Sequence, residues 1–256
     1  MLLWSVLVMP LAAGTVMVNG FSSLPFDGPP GTTSCSQFIP VGLATCQMGA
    51  SFSDPTGRHD ARVSGSATAD YGSISGGIFV GIDSGDASGS YGSSFGEQVI
   101  VLGGSGDGTL ITHYHLVSFD AEERATGLTV PPSYQFQQGL TTINYTPFLA
   151  HPNFNPVSSL TEDFDVTSRF TFGAPFLLSA YTHVEYQNPQ TGGRAFILQT
   201  SSSAQITGYT VLDSGGAVAA DAMVERTAIP EPGTLWLGVA GVLMIVANRR
   251  PGGSNA

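Results

Sequence analysis

From Ala61 to Tyr71, "ARVSGSATADY", apolar and polar residues change places at each step. Ala61, Val63, Ala67, Ala69 and Tyr71 fall on one side, and Arg62, Ser64, Ser66, Thr68 and Asp70 on the other. A period of two is a strand with one face buried and one wet. "PFLLSAYTHVEY" repeats the pattern: Phe176, Leu178, Ala180, Val184 and Tyr186 share a face opposite Ser179, His183 and Glu185. Gln98–Gly103 ("QVIVLG") reads as a short, fully apolar strand, and Gly108–Phe119, Ser168–Phe172, Arg194–Leu198 and Ala204–Leu212 continue the series. Turn chemistry separates them at Ser105–Gly108 ("SGDG"), Asn188–Gly193 ("NPQTGG") and Asp213–Gly216 ("DSGG").

Between the two termini no segment sustains a helical period. The expectation is therefore an all-β fold, an antiparallel, jelly-roll-like β-sandwich over 61–226. Residues 15–60 precede it as an N-terminal segment, and Pro131–Pro156 reads as a long connection with one short strand.

Charge narrows the function. Charged residues make up 11% of the chain, so the solvent faces of these strands must carry hydroxyls and amides instead, while 42% hydrophobic content supplies a core. All eight basic residues are arginine, which excludes a Walker A loop, a Schiff-base lysine and a pyridoxal-phosphate site. A net charge of −11 without basic clusters argues against nucleic-acid binding. The two cysteines, Cys35 and Cys46, read in an exported chain as a disulfide closing a short loop, worth about 3 kcal/mol.

Both ends read as processing segments. Leu2–Leu11 is apolar and leads into Ala12-Ala13-Gly14, the late half of a secretory signal, giving a signal peptide over 1–14. No basic residue precedes Arg58, so this signal is atypical or the start codon lies upstream. At the other end no charge falls between Glu231 and Arg249. Such a stretch makes a helix of about 25 Å, close to the hydrocarbon core of a bilayer. The expected division is a linker over 227–234, a transmembrane helix with an arginine stop over 235–250 and a tail over 251–256. The positive-inside rule leaves Arg249 and Arg250 cytoplasmic and the bulk of the chain outside.

Pro230-Glu231-Pro232, the apolar helix and the Arg249–Arg250 stop together resemble the PEP-CTERM sorting signal of bacterial surface proteins. The likeness covers about the last twenty-five residues; the tail Pro251–Ala256 departs from it. The resemblance implies recognition by an exosortase-type membrane protease that cuts near Pro230–Pro232. It also implies transfer to the surface of a diderm bacterium that makes exopolysaccharide. "ATADYGS" and "YTVLDSGGAV" look like segments in the bodies of other proteins with this signal.

Catalytic candidates are few. "GSSFG" (Gly92–Gly96) matches the G-x-S-x-G pattern at Ser94, but that motif needs a helix after it and a strand follows. "DSGG" at Ser214 is similar to the nucleophile segment of chymotrypsin-like proteases, with Leu212 where that family has glycine; a hairpin turn accounts for it. His113-Tyr114-His115 puts two imidazoles on one strand face, a geometry that can chelate a metal. With Glu122, His183 and Glu185 this set faintly resembles a cupin, although Glu122 comes late and the second cupin motif has no counterpart. "DSGDASGS" (Asp83–Ser90) and "GSGDG" (Gly104–Gly108) have the oxygen-rich look of calcium loops but lack the ligand order. Glu162, Asp163 and Asp165 in "TEDFD" read as a solvated loop. The expected function is that of an exported, non-catalytic surface or matrix protein, structural, glycan-contacting or adhesive, with no required cofactor. The alternative is a secreted cupin-like metalloprotein or hydrolase using His113 and His115.

Overall fold

The computed structural model describes residues 14–23, 33–39, 42–53, 60–82, 88–123, 129–145, 157–187 and 196–226. They form the strands β1 (Gly14–Ser23), β2 (Thr33–Ile39), β3 (Ala44–Ser53), β4 (Asp60–Asp70), β5 (Ser73–Ile82), β6 (Ser88–Leu102), β7 (Asp107–Glu123), β8 (Thr129–Gln138), β9 (Thr141–Tyr145), β10 (Val157–Thr171), β11 (Phe176–Gln187), β12 (Phe196–Leu212) and β13 (Met223–Arg226). One sheet has the order β2-β1-β6-β11-β8-β9, with β13 on β6; the other runs β10-β7-β12-β5-β4-β3. Every pairing is antiparallel, and β4 and β5 pack on β6 across the gap, giving a β-sandwich. Among the described residues no helix is long and apolar enough to cross a membrane. Residues 1–13 of the expected signal peptide, the Pro230-Glu231-Pro232 motif, the sorting helix and Arg249–Arg250 lie outside the described residues, while Gly14, the last residue of that signal, opens β1.

The alternation in β4 holds residue by residue: Ala61, Val63, Ala67 and Ala69 are buried, and Arg62 and Ser66 are exposed. Gly72 closes the β4–β5 hairpin at φ 77°, where a side chain would strain the backbone.

Four expectations are corrected. The sandwich does not begin at Ala61, because β1 pairs with β2 and β6, and β3 with β4. Gln98–Leu102 is the end of the 15-residue β6, and Phe196–Leu198 and Ala204–Leu212 merge into the 17-residue β12, with Arg194 and Ala195 outside the described residues. The 131–156 connection contains two strands, with β8 between β11 and β9. Pro131 and Pro132 are accommodated because the β8–β11 register shifts between His183 and Glu185, a bulge where ladder donors are not required. "TEDFD" lies in an edge strand, since among the described residues β10 pairs with β7 alone.

Three buried tyrosines, Tyr91, Tyr114 and Tyr134, organise the interior. The Tyr91 ring on β6 fills space left by Gly20 on β1 and Gly65 on β4. A Cβ at Gly20 would lie 2.6 Å from Tyr91 Cδ1, and one at Gly65 would overlap the ring. The Tyr91 hydroxyl donates to the Met48 carbonyl at 3.3 Å. Next to this packing, the Cys35–Cys46 disulfide joins β2 to β3 with Cα atoms 6.0 Å apart, tying an edge strand of one sheet to an edge strand of the other. In the other half, Tyr114, Phe136 and Phe164 cluster between β7, β8 and β10, Tyr114 stacked on Phe164 and tilted against Phe136 with centroids 4.7 Å apart. The third tyrosine, Tyr134, stacks on Phe136 with its hydroxyl among Ser118, Thr182 and Ser202. These groups are near enough to favour its ionised form, but burial outweighs them and raises its pKa. None meets the Tyr134 hydroxyl in hydrogen-bonding geometry.

β13 takes over from β1 along β6. Gly14 pairs with Glu97 and Arg226 with Val99, so the end of the last strand abuts the start of the first. Here Glu97 is buried and forms an ion pair with Arg226 Nε at 2.6 Å. The Arg226 guanidinium lies 5.5 Å from the Tyr71 ring centroid. Burial raises the Glu97 pKa more than Arg226 lowers it, and burial pushes the Tyr209 hydroxyl up to about 12.

Candidate functional site

The outward face of the β10-β7-β12-β5-β4-β3 sheet carries two polar constructions side by side. The first lies on β3, β4, β5 and β12. Register aligns Ser66, Gly77 and Ser201 in one row and Ser64, Phe79 and Gln199 in the next. Gly77 keeps the first row low, since a Cβ there would come within 3.1 Å of Ser201 Cβ. The result is an open trough of about 290 Å³ lined also by Gln47 and Arg62. The Arg62 guanidinium sits 5.9 Å from the Phe79 centroid, within cation–π range. An aromatic ring beside amides, hydroxyls and one guanidinium matches the surface of a sugar, apolar on its C–H face and polar at its rim.

The second construction is a ladder across β10, β7 and β12. His113 and His115 point outward and flank the buried Tyr114. Their partners in register on β10 are Asp165 and Asp163. His113 Nδ1 lies 2.6 Å from Asp165 Oδ1, and His115 Nδ1 lies 2.6 Å from Asp163 Oδ1. With each Nδ1–H donating to a carboxylate, Nε2 of the neutral ring carries the lone pair. His113 Nε2 accepts from the Thr210 hydroxyl at 2.8 Å. A bulge between Ile206 and Gly208 shifts β12 there and sets Gly208 directly across from His113. Such half-exposed cross-strand pairs contribute about 0.2–1 kcal/mol each to stability.

The other sequence candidates are dispersed. Ser94 sits mid-strand in β6, paired with Met17 and Tyr181, not on a strand-to-helix elbow. Ser214 lies in a turn in which Asp213 Oδ1 accepts from Gly215 N and Ala217 N, both at 2.9 Å. His183 is on β11 in the opposite sheet, 3.4 Å from Ser90 Oγ and stacked on Tyr181. Glu122 pairs with Leu198, far along β7 from His113, so the cupin-like set does not converge. Of the calcium-like loops, 83–87 lies outside the described residues, and Asp107 Oδ1 accepts from Thr171 Oγ1 at 2.9 Å. Among the described residues no three or more His, Cys, Asp and Glu gather around one point.

Sequence reasoning missed Thr210, the role of Asp163 and Asp165, and the Arg62–Phe79 trough. Parity carries a signal for the shared face of Asp163 and Asp165, masked by Glu162 at an inward position, but none for Thr210, because the β12 bulge between Ile206 and Gly208 breaks the alternation before it. In "LTEDFDV", Thr161, Asp163 and Asp165 alternate with Leu160, Glu162, Phe164 and Val166, the pattern of a strand.

No protein-family model and no curated protein matches the sequence. Among solved structures the chain is similar to the membrane-inserted form of the Clostridium perfringens NetB toxin. The match has 8% identity and a TM-score of 0.16, covering 72% of this chain and 94% of that one, a likeness too slight to bear on fold or function.

Proposed function

We propose that this chain is an exported bacterial surface or extracellular-matrix protein that works by contact, not catalysis. It would be sorted by an exosortase-type membrane protease acting at Pro230-Glu231-Pro232 and held by its C-terminal helix until cleavage. The observation that carries the reading is the Cys35–Cys46 disulfide between the two sheets, because such bonds persist in oxidising compartments outside the cytoplasm. The trough beside Phe79 and Arg62 supports exopolysaccharide as the contacted partner. The jelly-roll-like description rests on β9 to β13, where each successive strand changes sheet.

Intact mass of protein recovered from the native cell surface and medium, with and without the sorting protease, tests the proposal. The expected species is cut near Gly14, cut again near Pro230–Pro232, and lighter by two protons for the disulfide. A species that keeps Leu235–Arg250 in every strain would overturn the sorting reading.

A secreted hydrolase is the second reading, favoured by the Asp165–His113–Thr210 run, in which Nε2 polarises a hydroxyl. Such an enzyme would be acylated at Thr210 by an activated ester, with the label lost in His113→Ala. An unlabelled chain returns the reading to the contact protein.

A further inference from the structure

We propose that His113 and His115 form a surface site for one late first-row divalent metal ion, Zn²⁺ or Cu²⁺, buttressed by Asp165 and Asp163. Two imidazoles two residues apart on a strand share a face, and both are half-exposed on the open side of β7. Their orientation is fixed from behind. Each Nδ1 is held 2.6 Å from a carboxylate on β10, so each Nε2 is directed away from β10, toward β12. This is the arrangement of a metal-ligating histidine, whose second nitrogen donates to a carboxylate that sets the tautomer and raises the basicity of the ligand. The Thr210 hydroxyl, 2.8 Å from His113 Nε2, shows that this lone pair is accessible to a third atom. Among the described residues the His115 Nε2 has no hydrogen-bond partner.

The bulge in β12 places Gly208 opposite His113, and even a Cβ there would stand 3.8 Å from His113 Cδ2, so the β12 side of the ring is open to an ion. Imidazole nitrogen suits Zn²⁺ and Cu²⁺ over the harder Mg²⁺ and Ca²⁺. Water or the Thr210 oxygen would complete the coordination. Binding forms two N–metal bonds and displaces the Thr210 hydrogen bond, with no redox step.

Titration of the chelator-treated full chain with Zn²⁺ by calorimetry tests this. One saturable ion per chain is expected. The His113→Ala/His115→Ala pair should abolish binding while leaving the thermal unfolding of the metal-free chain in place. Asp163→Asn and Asp165→Asn should each retain binding but weaken it about 10–100-fold. No saturable binding by the wild type, or undiminished binding by the double histidine variant, overturns the site. Undiminished binding by both Asp→Asn variants overturns the buttressing role of the carboxylates.

Discussion

Tyr91 and Tyr134 are both buried rings of the same size, yet the sandwich closes around them by opposite means. Around Tyr91 the fold removes side chains: Gly20 and Gly65 vanish beneath the ring, and its hydroxyl reaches the Met48 carbonyl. Around Tyr134 the fold keeps side chains and makes them polar, so that Ser118, Thr182 and Ser202 surround a hydroxyl without a partner in hydrogen-bonding geometry. The first region is specified by shape and the second by polarity that shape does not satisfy. An extra Cβ forced into a filled interior is destabilising, and an unpaired buried hydroxyl has a standing cost.

The contrast can be broken most forcefully at Gly65. Gly65→Ala drives a methyl into the Tyr91 ring and is expected to cost about 1–3 kcal/mol in denaturant unfolding. In a Tyr91→Leu background the same change should cost much less. Additive losses in that double-mutant cycle would show that Gly65 answers to something other than the ring. In the other half, Tyr134→Phe deletes an oxygen with no partner in bonding geometry and should change stability by less than about 1 kcal/mol, in either direction. A larger loss would mean that ordered water completes the hydroxyl cluster, making that half a hydrated interior.

The smallest effect at neutral pH is expected at Glu97, where the buried group is a carboxylate paired with the largely exposed Arg226. The raised Glu97 pKa means that the folded state holds the proton more tightly than the unfolded chain does. Stability from this group is therefore present below the unfolded carboxylate pKa and lost as pH rises through the folded one. Glu97→Gln should remove that decline, measured as thermal unfolding across the mildly acidic range. A wild-type slope surviving in the variant would assign it to another carboxylate.

How far the sequence foretold this architecture depended on what stood at the inward positions. β4 was legible because alanine and valine alternate with serine and arginine. β10 was not, because Glu162 occupies an inward position and three carboxylates disguise a period of two as a solvated loop. β8 was hidden by Pro131 and Pro132, whose tolerance depends on a register shift that only the pairing with β11 creates. The histidine pair was legible as two imidazoles on one face, since that follows from parity alone. Its carboxylate partners were not, because they come from a strand forty-eight and fifty-two positions away.

The head-to-tail meeting of β13 and β1 along β6 has a mechanical meaning. Arg226 and Gly14 face positions two residues apart on a common neighbour. A tension applied between Gly14 and Arg226 would therefore act at one spot along β6, where both strands meet it. In covalent terms the sandwich is nearly a ring. A short peptide joining Arg226 to Gly14, with the chain opened at a hairpin tip such as Tyr71–Gly72, would preserve each strand pairing in a circularly permuted molecule.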